Sequence, residues 1–592
     1  MSHDIKDHLS GLTRAALESV LPEHRNAAVL FEKPKRPSNG DFSCNLAMRL
    51  ARLLKRDPSE LARLLVSALP ESPFVDKAET AGGFINFYLR PLARIEAVRT
   101  VLAQKNDFGR SGLGGGRKLQ IEFVSANPTG PLHVGHGRGA AYGASLSSLM
   151  AFAGWDVTRE YYVNDAGRQM DILALSAWLR YLALFGDSGA DIPFPPNAYQ
   201  GGYVIDMAKQ LQAEHGHEFC RPAPGLLMDI PSLPAPERVD DEAKEMRETR
   251  LDALIERART LLGDGWRIIH NHVLTAQLAE CRNDLEEFGV FHDVWFPEQA
   301  LYDTGLVARC VERLENAGHI YVRDGAKWFR STAFGDEKDR VVQRDNGMYT
   351  YFASDIAYHL NKFERGFDRI INIWGADHHG YIPRVKGAVA ALGLDTKKLE
   401  IALVQFAVLY REGKKVSMST RSAEFVTLRA LREEAGNDAC RFFYVLRKSD
   451  QHLDFDLDLA RSQTNENPVY YIQYAHARLC SMLAQWAREG GDPASLDSAD
   501  LSRLDNPREL ALASRLGEFP DIIESAAREL APHMLAFYLK DLAADFHSYY
   551  NAERVLVDDK ALKTARIALV TAMRQVIRTG LKLLGVGCPE SM

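Results

Sequence analysis

Cysteine is scarce and scattered. The 592-residue chain has seven, at positions 44, 220, 281, 310, 440, 480 and 588, an odd number with no C-x-x-C pair. That excludes a disulfide framework and a zinc ribbon and fits a reducing compartment. No apolar run is long enough to span a bilayer, and the start, Met1-Ser2-His3-Asp4-Ile5-Lys6-Asp7, is too charged for a secretory signal. A soluble, cytoplasmic protein with no membrane partner is the expectation. No G-x-x-x-x-G-K-[ST] occurs, which disfavours a P-loop ATPase. Charge of one sign is also lacking: 72 basic against 79 acidic residues leave a net charge of -7, arguing against a chain coated in nucleic acid while permitting local basic patches.

Apolar residues, by contrast, make up 46% of the chain, enough for a sizeable core. At roughly 150 residues per domain the length suggests about four domains. Residues 1–110 read as an α/β module. Asn45 to Lys55 carries apolar residues at helical spacing; Asp57-Pro58-Ser59-Glu60 reads as an N-cap with Pro first and Glu third in the helix; Gly82 to Leu89 reads as a strand. The glycines at 109, 112, 114, 115 and 116 suggest a linker. Strand-like and helix-like segments alternate over 117–460, which predicts a parallel sheet. An insertion of loops, rich in proline, is expected near 186–240; its His215-Gly216-His217 and Cys220 match no standard metal spacing and read as solvated loop. Residues 468–592 read as all-helical, with Ile472, Ala475, Leu479, Met482, Leu483 and Trp486 in register. The basic residues Arg554, Lys560, Lys563, Arg566, Arg574, Arg578 and Lys582 there form a candidate phosphate-contacting surface.

The chemistry concentrates in Asn127-Pro128-Thr129-Gly130-Pro131-Leu132-His133-Val134-Gly135-His136-Gly137-Arg138-Gly139. A strand-like run, Leu119 to Val124, precedes it and a helix-like run of small residues follows. A helix N-terminus favours an anion, and His133 and His136, three apart, share a face. Spacing alone leaves two readings open: a nucleotide-phosphate site, or a surface turn with two unrelated histidines. Glu122, at the end of the strand, needs a cationic partner, and a ligand guanidinium would supply one. Tyr351 and Asp355, four apart, share another face; they also suit a packed Tyr and a capping Asp. Ile370 to Gly380 reads as a strand ending in a polar turn, where α/β sheets bind ligands; its adjacent His378 and His379 cannot share a helical face, which disfavours a metal.

Pro131-Leu132-His133-Val134-Gly135-His136 resembles the His-X-Gly-His signature of class I aminoacyl-tRNA synthetases, and the string from Glu122 to Arg138 resembles the bacterial arginyl-tRNA synthetases. Asn39-Gly40-Asp41-Phe42 with Asn45 resembles that family's N-terminal module, and the tail from Gly580 to Met592 the end of its helical anticodon-binding domain. The resemblance implies an α/β multidomain chain: an N-terminal α/β module (1–110) contacting the tRNA body, a Rossmann-like parallel-sheet catalytic domain (117–460), and a C-terminal all-α anticodon-binding domain (468–592).

It further implies that Glu122, Asn127, His133, Tyr351, Asp355 and His379 bind arginine. ATP falls to His133, Gly135, His136, Gly375, Asp377, His378, Met418 and Ser419. Lys414 to Ser422 resembles a degenerate Lys-Met-Ser-Lys-Ser loop, with Ser417 and Thr420 at the two lysine positions, so the positive charge near pyrophosphate falls to Lys414, Lys415 or Arg421. Expected partners are tRNA(Arg), L-arginine and ATP, with Mg²⁺ carried by ATP and no dedicated metal site. A monomer and tRNA-dependent activation are expected. The alternatives are a class I synthetase for another amino acid and a tRNA-binding paralogue without catalysis.

Overall fold

The computed structural model describes residues 5–34, 36–186, 192–235, 237–416 and 426–592. The N-terminal module is a four-stranded antiparallel sheet in the order Phe31–Glu32, Phe42–Cys44, Phe84–Leu89, Val75–Ala81. Helices Ile5–Val20, Leu46–Leu54 and Pro58–Ser67 share its core through Leu9, Leu17, Leu50, Leu61, Leu65 and Phe87. Asp57 caps the third helix by accepting from the backbone N–H groups of Ser59 and Glu60, as its sequence suggests. The glycine-rich stretch is not a loose linker. Gly114 and Gly116 donate to the carbonyls of Ala153 and Gly154 at 2.8 Å each, and a Cβ on Gly114 would fall 2.3 Å from the Trp155 nitrogen. Glycine serves close packing at Gly114, while Gly115 and Gly116 take φ of 58° and 70°, the left-handed region that favours glycine.

The central sheet has five parallel strands in the order Leu399–Val404, Arg369–Gly375, Lys118–Glu122, Asp156–Val163, Val294–Pro297. The strand that comes first in the chain lies in the middle, and later strands add to one side and then to the other. The strand order therefore reverses between Lys118–Glu122 and Arg369–Gly375, and the crevice at their C-terminal ends is where such sheets bind ligands. The helix Val134–Phe152 leaves the first strand and packs back on it. Gly143 permits this, since a Cβ there would sit 2.3 Å from the Phe123 ring.

The proline-rich segment contains more than the expected loops. Gly202–His215 and Ala223–Leu227 are helices, followed by the long helices Asp241–Leu262 and Asp264–Glu287. They enclose a core of their own around Trp178, Phe219 and Trp266. Val204, Met207, Ala208 and Leu211 carry helical periodicity that the flanking prolines obscure. His215 Nδ1 meets Glu218 Oε2 at 3.0 Å.

A helix, Leu306–Asn316, and a three-stranded antiparallel sheet (Ile320–Arg323, Ala326–Phe329, Arg340–Gln343) lead into the helix Tyr351–Glu364. The strand Ala407–Arg411 pairs with Lys414–Lys415 and with Leu453–Asp456. Beyond it lie the helices Pro468–Arg488, Pro507–Gly517, Phe519–Arg528, His533–Ala552 and Lys560–Leu584. Their core is continuous with that of the central sheet. Arg441 is buried at the seam and donates to Gly289 O at 2.8 Å and Leu584 O at 3.1 Å. Arg566 leaves the proposed basic surface: its side chain is 10% exposed and its Nε donates at 2.7 Å to Glu509, which is 0% exposed.

Candidate active site

At the start of the helix Val134–Phe152 the two histidines cap the helix and each other. His133 Nδ1 accepts from Gly135 N at 3.0 Å, and His136 Nδ1 accepts from His133 N at 3.3 Å. The rings stack with centroids 3.7 Å apart. Burial depresses the basicity of both, taking His136 down to about 3 with His133 adding to the effect. Both rings are therefore neutral near pH 7. With each Nδ1 accepting, each proton sits on Nε2, which makes Nε2–H the donor. Gly135 is required for this cap, because a Cβ there would lie 2.7 Å from the His133 ring. Arg138, buried one turn further on, donates to the carbonyls of Gln405 (2.8 Å), Gln451 (2.7 Å) and Lys448 (2.9 Å), tying the helix to the end of the strand Leu399–Val404.

The charged side of the crevice is built from the two central strands and the helix Tyr351–Glu364. Glu122 and Asn372 stand side by side on adjacent strands. Lys362 Nζ, from the helix, donates to Glu122 Oε2 at 2.6 Å and to Asn372 Oδ1 at 2.7 Å. The cation that Glu122 requires is thus supplied within the chain. Its other oxygen accepts from Ser125 Oγ at 3.0 Å. Val124 and Ser125 have φ of 68° and 40°, a left-handed bend unusual outside glycine that turns the chain out of the strand toward Asn127. Asn127 donates to Gln169 (2.8 Å) and accepts from Asn164 (3.1 Å).

Tyr351 opens the helix and is 58% exposed. One turn inward, Asp355 accepts from the Tyr381 hydroxyl. Its carboxyl is largely desolvated and faces Glu298 and Glu122. These effects outweigh Tyr381 and Lys362 and raise its pKa to about 7. Glu298, 2% exposed, is raised as well, chiefly by burial. The next inward turn carries His359, whose Nδ1 donates to Asp355 O at 2.7 Å and whose Nε2 accepts from Asn372 at 2.8 Å. Burial and nearby Lys362 lower it to about 3 and keep it neutral.

Gly375 ends its strand, and Asp377, His378 and His379 lie exposed on the turn Ala376–Tyr381. His378 Nδ1 meets Asp377 Oδ1 at 3.2 Å, and His379 Nδ1 meets Ala376 O at 3.3 Å. Tyr381, from the same turn, links it to Asp355. Lys414 and Lys415 stand exposed on their hairpin. Met418, Ser419 and Arg421 lie outside the described residues. The segment after them returns to the histidine turn: Val134 N donates to Val426 O at 3.1 Å and Leu428 N to Leu132 O at 2.8 Å.

Sequence reasoning missed Lys362, Asn372, His359, Tyr381, Glu298 and Arg138. One signal was present: Asp355, His359 and Lys362 recur at i, i+4 and i+7 and share the inner helix face. The arrangement offers two neutral imidazole donors at a helix N-terminus beside a pocket with more carboxylate than cation. That suits a phosphate ester and an amino acid with a cationic side chain.

The chain matches three family models: "Arginyl tRNA synthetase N terminal domain" over residues 2–89, "tRNA synthetases class I (R), catalytic domain" over 97–182 and 259–456, and "DALR anticodon binding domain" over 472–592. It is 67% identical to the arginine–tRNA ligase of Dechloromonas aromatica (strain RCB) and 66% identical to that of Azoarcus sp. (strain BH72), with 100% of each chain covered. Among solved structures it resembles Thermus thermophilus arginyl-tRNA synthetase, with a TM-score of 0.73, 25% identity, and coverage of 99% of this chain and 100% of that one.

Proposed function

The chain belongs to the class I arginyl-tRNA synthetase family and is an arginine–tRNA ligase, and we propose how its residues divide that work. Arginine's cationic groups are held by Asp355 and Tyr351 with Glu122, and Asn127 and His379 orient the amino acid. The observation that carries this reading is Asp355: a desolvated carboxyl at the sheet's C-terminal crevice, raised to about 7 and facing two further acids. A cation entering there relieves the repulsion, whereas a neutral isostere leaves polar groups unpaired.

His133 and His136 donate through Nε2–H to the phosphate oxygens of ATP as charge grows on them, with Gly135 allowing close approach. Gly375, Asp377 and His378 border the nucleotide, together with Met418 and Ser419 of the second loop. Lys414, Lys415 or Arg421 of that loop faces the leaving pyrophosphate. Arginine's carboxylate attacks the α-phosphorus in line, giving arginyl-adenylate and pyrophosphate. A hydroxyl of the terminal tRNA ribose then takes the arginyl group and AMP leaves. No side-chain nucleophile is needed, because positioning and electrostatics suffice. When bound with ATP, Mg²⁺ would neutralise charge on its phosphate oxygens.

In the same reading, residues 1–110 contact the tRNA body, 117–460 catalyse, and 468–592 bind the anticodon arm. Activation waits for tRNA. In this reading the chain acts as a cytoplasmic monomer. No helix among the described residues is long and apolar enough to cross a membrane. Charging of tRNA(Arg) by Asp355→Asn tests the pocket. The expected result is a KM for arginine raised at least about tenfold with KM for ATP little changed. Unchanged arginine kinetics would remove Asp355 from the site.

A further inference from the structure

Lys362 lies outside every motif of the chain, yet its side chain is 0% exposed and makes the only hydrogen-bonded ion pair to Glu122 among the described residues. Its surroundings are complete. Nζ donates to Glu122 Oε2 and Asn372 Oδ1 and lies 4.2 Å from the centre of the Tyr358 ring. Asn372 is in turn oriented by His359, and His359 by the Asp355 carbonyl. The buried chain of contacts thus runs from the backbone carbonyl of Asp355 through His359, Asn372 and Lys362 to the carboxylate of Glu122. The other acid on this level, Glu160, has its own cation: Arg365 binds it with two hydrogen bonds of 2.6 and 2.9 Å, and Tyr358 adds one of 2.6 Å. Lys362 is therefore committed to Glu122. Glu122 keeps 10% of its side chain exposed, and its second oxygen lies on Ser125 at the mouth of the crevice.

We propose that Lys362 is a positioning residue for arginine, holding one oxygen of Glu122 from beneath so that the carboxylate keeps a single orientation toward the substrate. The inference rests on the assignment of Glu122 to the arginine site. A lysine does this from a depth at which a solvated cation would not stay. Its three donors are all used, on Glu122, on Asn372 and against an aromatic face. Removing it leaves Glu122 Oε2 and Asn372 Oδ1 without their donor and frees the Glu122 side chain to rotate.

The test is a double-mutant cycle on the full chain, read as KM for arginine and for ATP in tRNA(Arg) charging, with Lys362→Met, Glu122→Gln and the pair. Lys362→Gln, which keeps a donor, serves if Lys362→Met does not fold. The expected result is a KM for arginine raised about tenfold or more by Lys362→Met, a KM for ATP changed less than about twofold, and little further rise when Lys362→Met is added to Glu122→Gln. Lys362→Gln should recover part of the loss. If Lys362→Met lowers kcat and melting temperature and leaves the ratio of the two KM values unchanged, the residue is structural and the proposal fails. Full additivity with Glu122→Gln also overturns it. If Glu122→Gln itself leaves KM for arginine unchanged, the failure lies in the assignment of Glu122.

Discussion

The proposed role of Asp355 makes arginine binding sensitive to pH in a definite direction. Desolvation and the facing acids Glu298 and Glu122 raise its carboxyl to about 7. A cationic ligand stabilises the ionised form, so binding expels the proton. At pH 6, one unit below the midpoint, about 9% of the free protein holds Asp355 ionised, and arginine should bind roughly tenfold more weakly than at its plateau, or about 1.4 kcal/mol. Affinity should rise with pH through about 7 and level off near 8. Titration calorimetry at pH 6, 7 and 8, in buffers of different ionisation enthalpy, reads both the affinity and the proton released. Asp355→Asn should bind arginine weakly at every pH with no proton release from this site. The sign for folding is opposite to the usual acid. A carboxyl raised above its unfolded value of 3.8 contributes stability fully below that value, and this is lost as pH rises through about 7. An affinity for arginine that is flat from pH 6 to 8, or that falls as pH rises, refutes the argument.

Other expectations follow from particular contacts. His136→Ala removes a neutral donor and should slow arginine-dependent ATP–pyrophosphate exchange by about 10²–10³-fold, with arginine affinity by calorimetry nearly unchanged. Gly143→Ala drives a methyl into the Phe123 ring 2.3 Å away; it should cost about 1–3 kcal/mol in urea unfolding and depress exchange by shifting the histidine turn. Arg566→Met strands Glu509, 0% exposed, and should destabilise the chain by about 3–5 kcal/mol by the same assay. Arg578→Ala, at an exposed position on the same helix, should instead weaken tRNA binding and reduce its salt dependence without loss of stability.

Strand, turn and helix around His133 were legible because hydrophobic period and glycine placement are local properties. So was the shared face of Tyr351 and Asp355. The helices near 202–227 were not, because proline clusters mask a periodicity that Val204, Met207 and Leu211 carry. Lys362 was invisible for a different reason: a lysine seven residues beyond Asp355 reads as a solvated face until the strands that supply Glu122 and Asn372 are set beneath it. Arg566 shows the converse. Its basic neighbours suggested a phosphate surface, but its partner Glu509 comes from another helix, and pairing across helices leaves no trace in spacing. Glu298 and Tyr381 likewise reach Asp355 from elements distant in the chain. Family resemblance named the acids proposed for the pocket; only the assembled sheet reveals that one of them, Glu122, is held by a buried cation.

The central claim is an arginine-activating site in which carboxylates choose the amino acid and neutral histidines serve the phosphates. ATP–pyrophosphate exchange with each of the twenty amino acids, with and without bulk bacterial tRNA, tests it most directly. The account predicts exchange with arginine alone, and only when tRNA is present. Exchange with another amino acid would keep the fold and overturn the pocket, and no exchange with any amino acid from folded protein would contradict the claim outright.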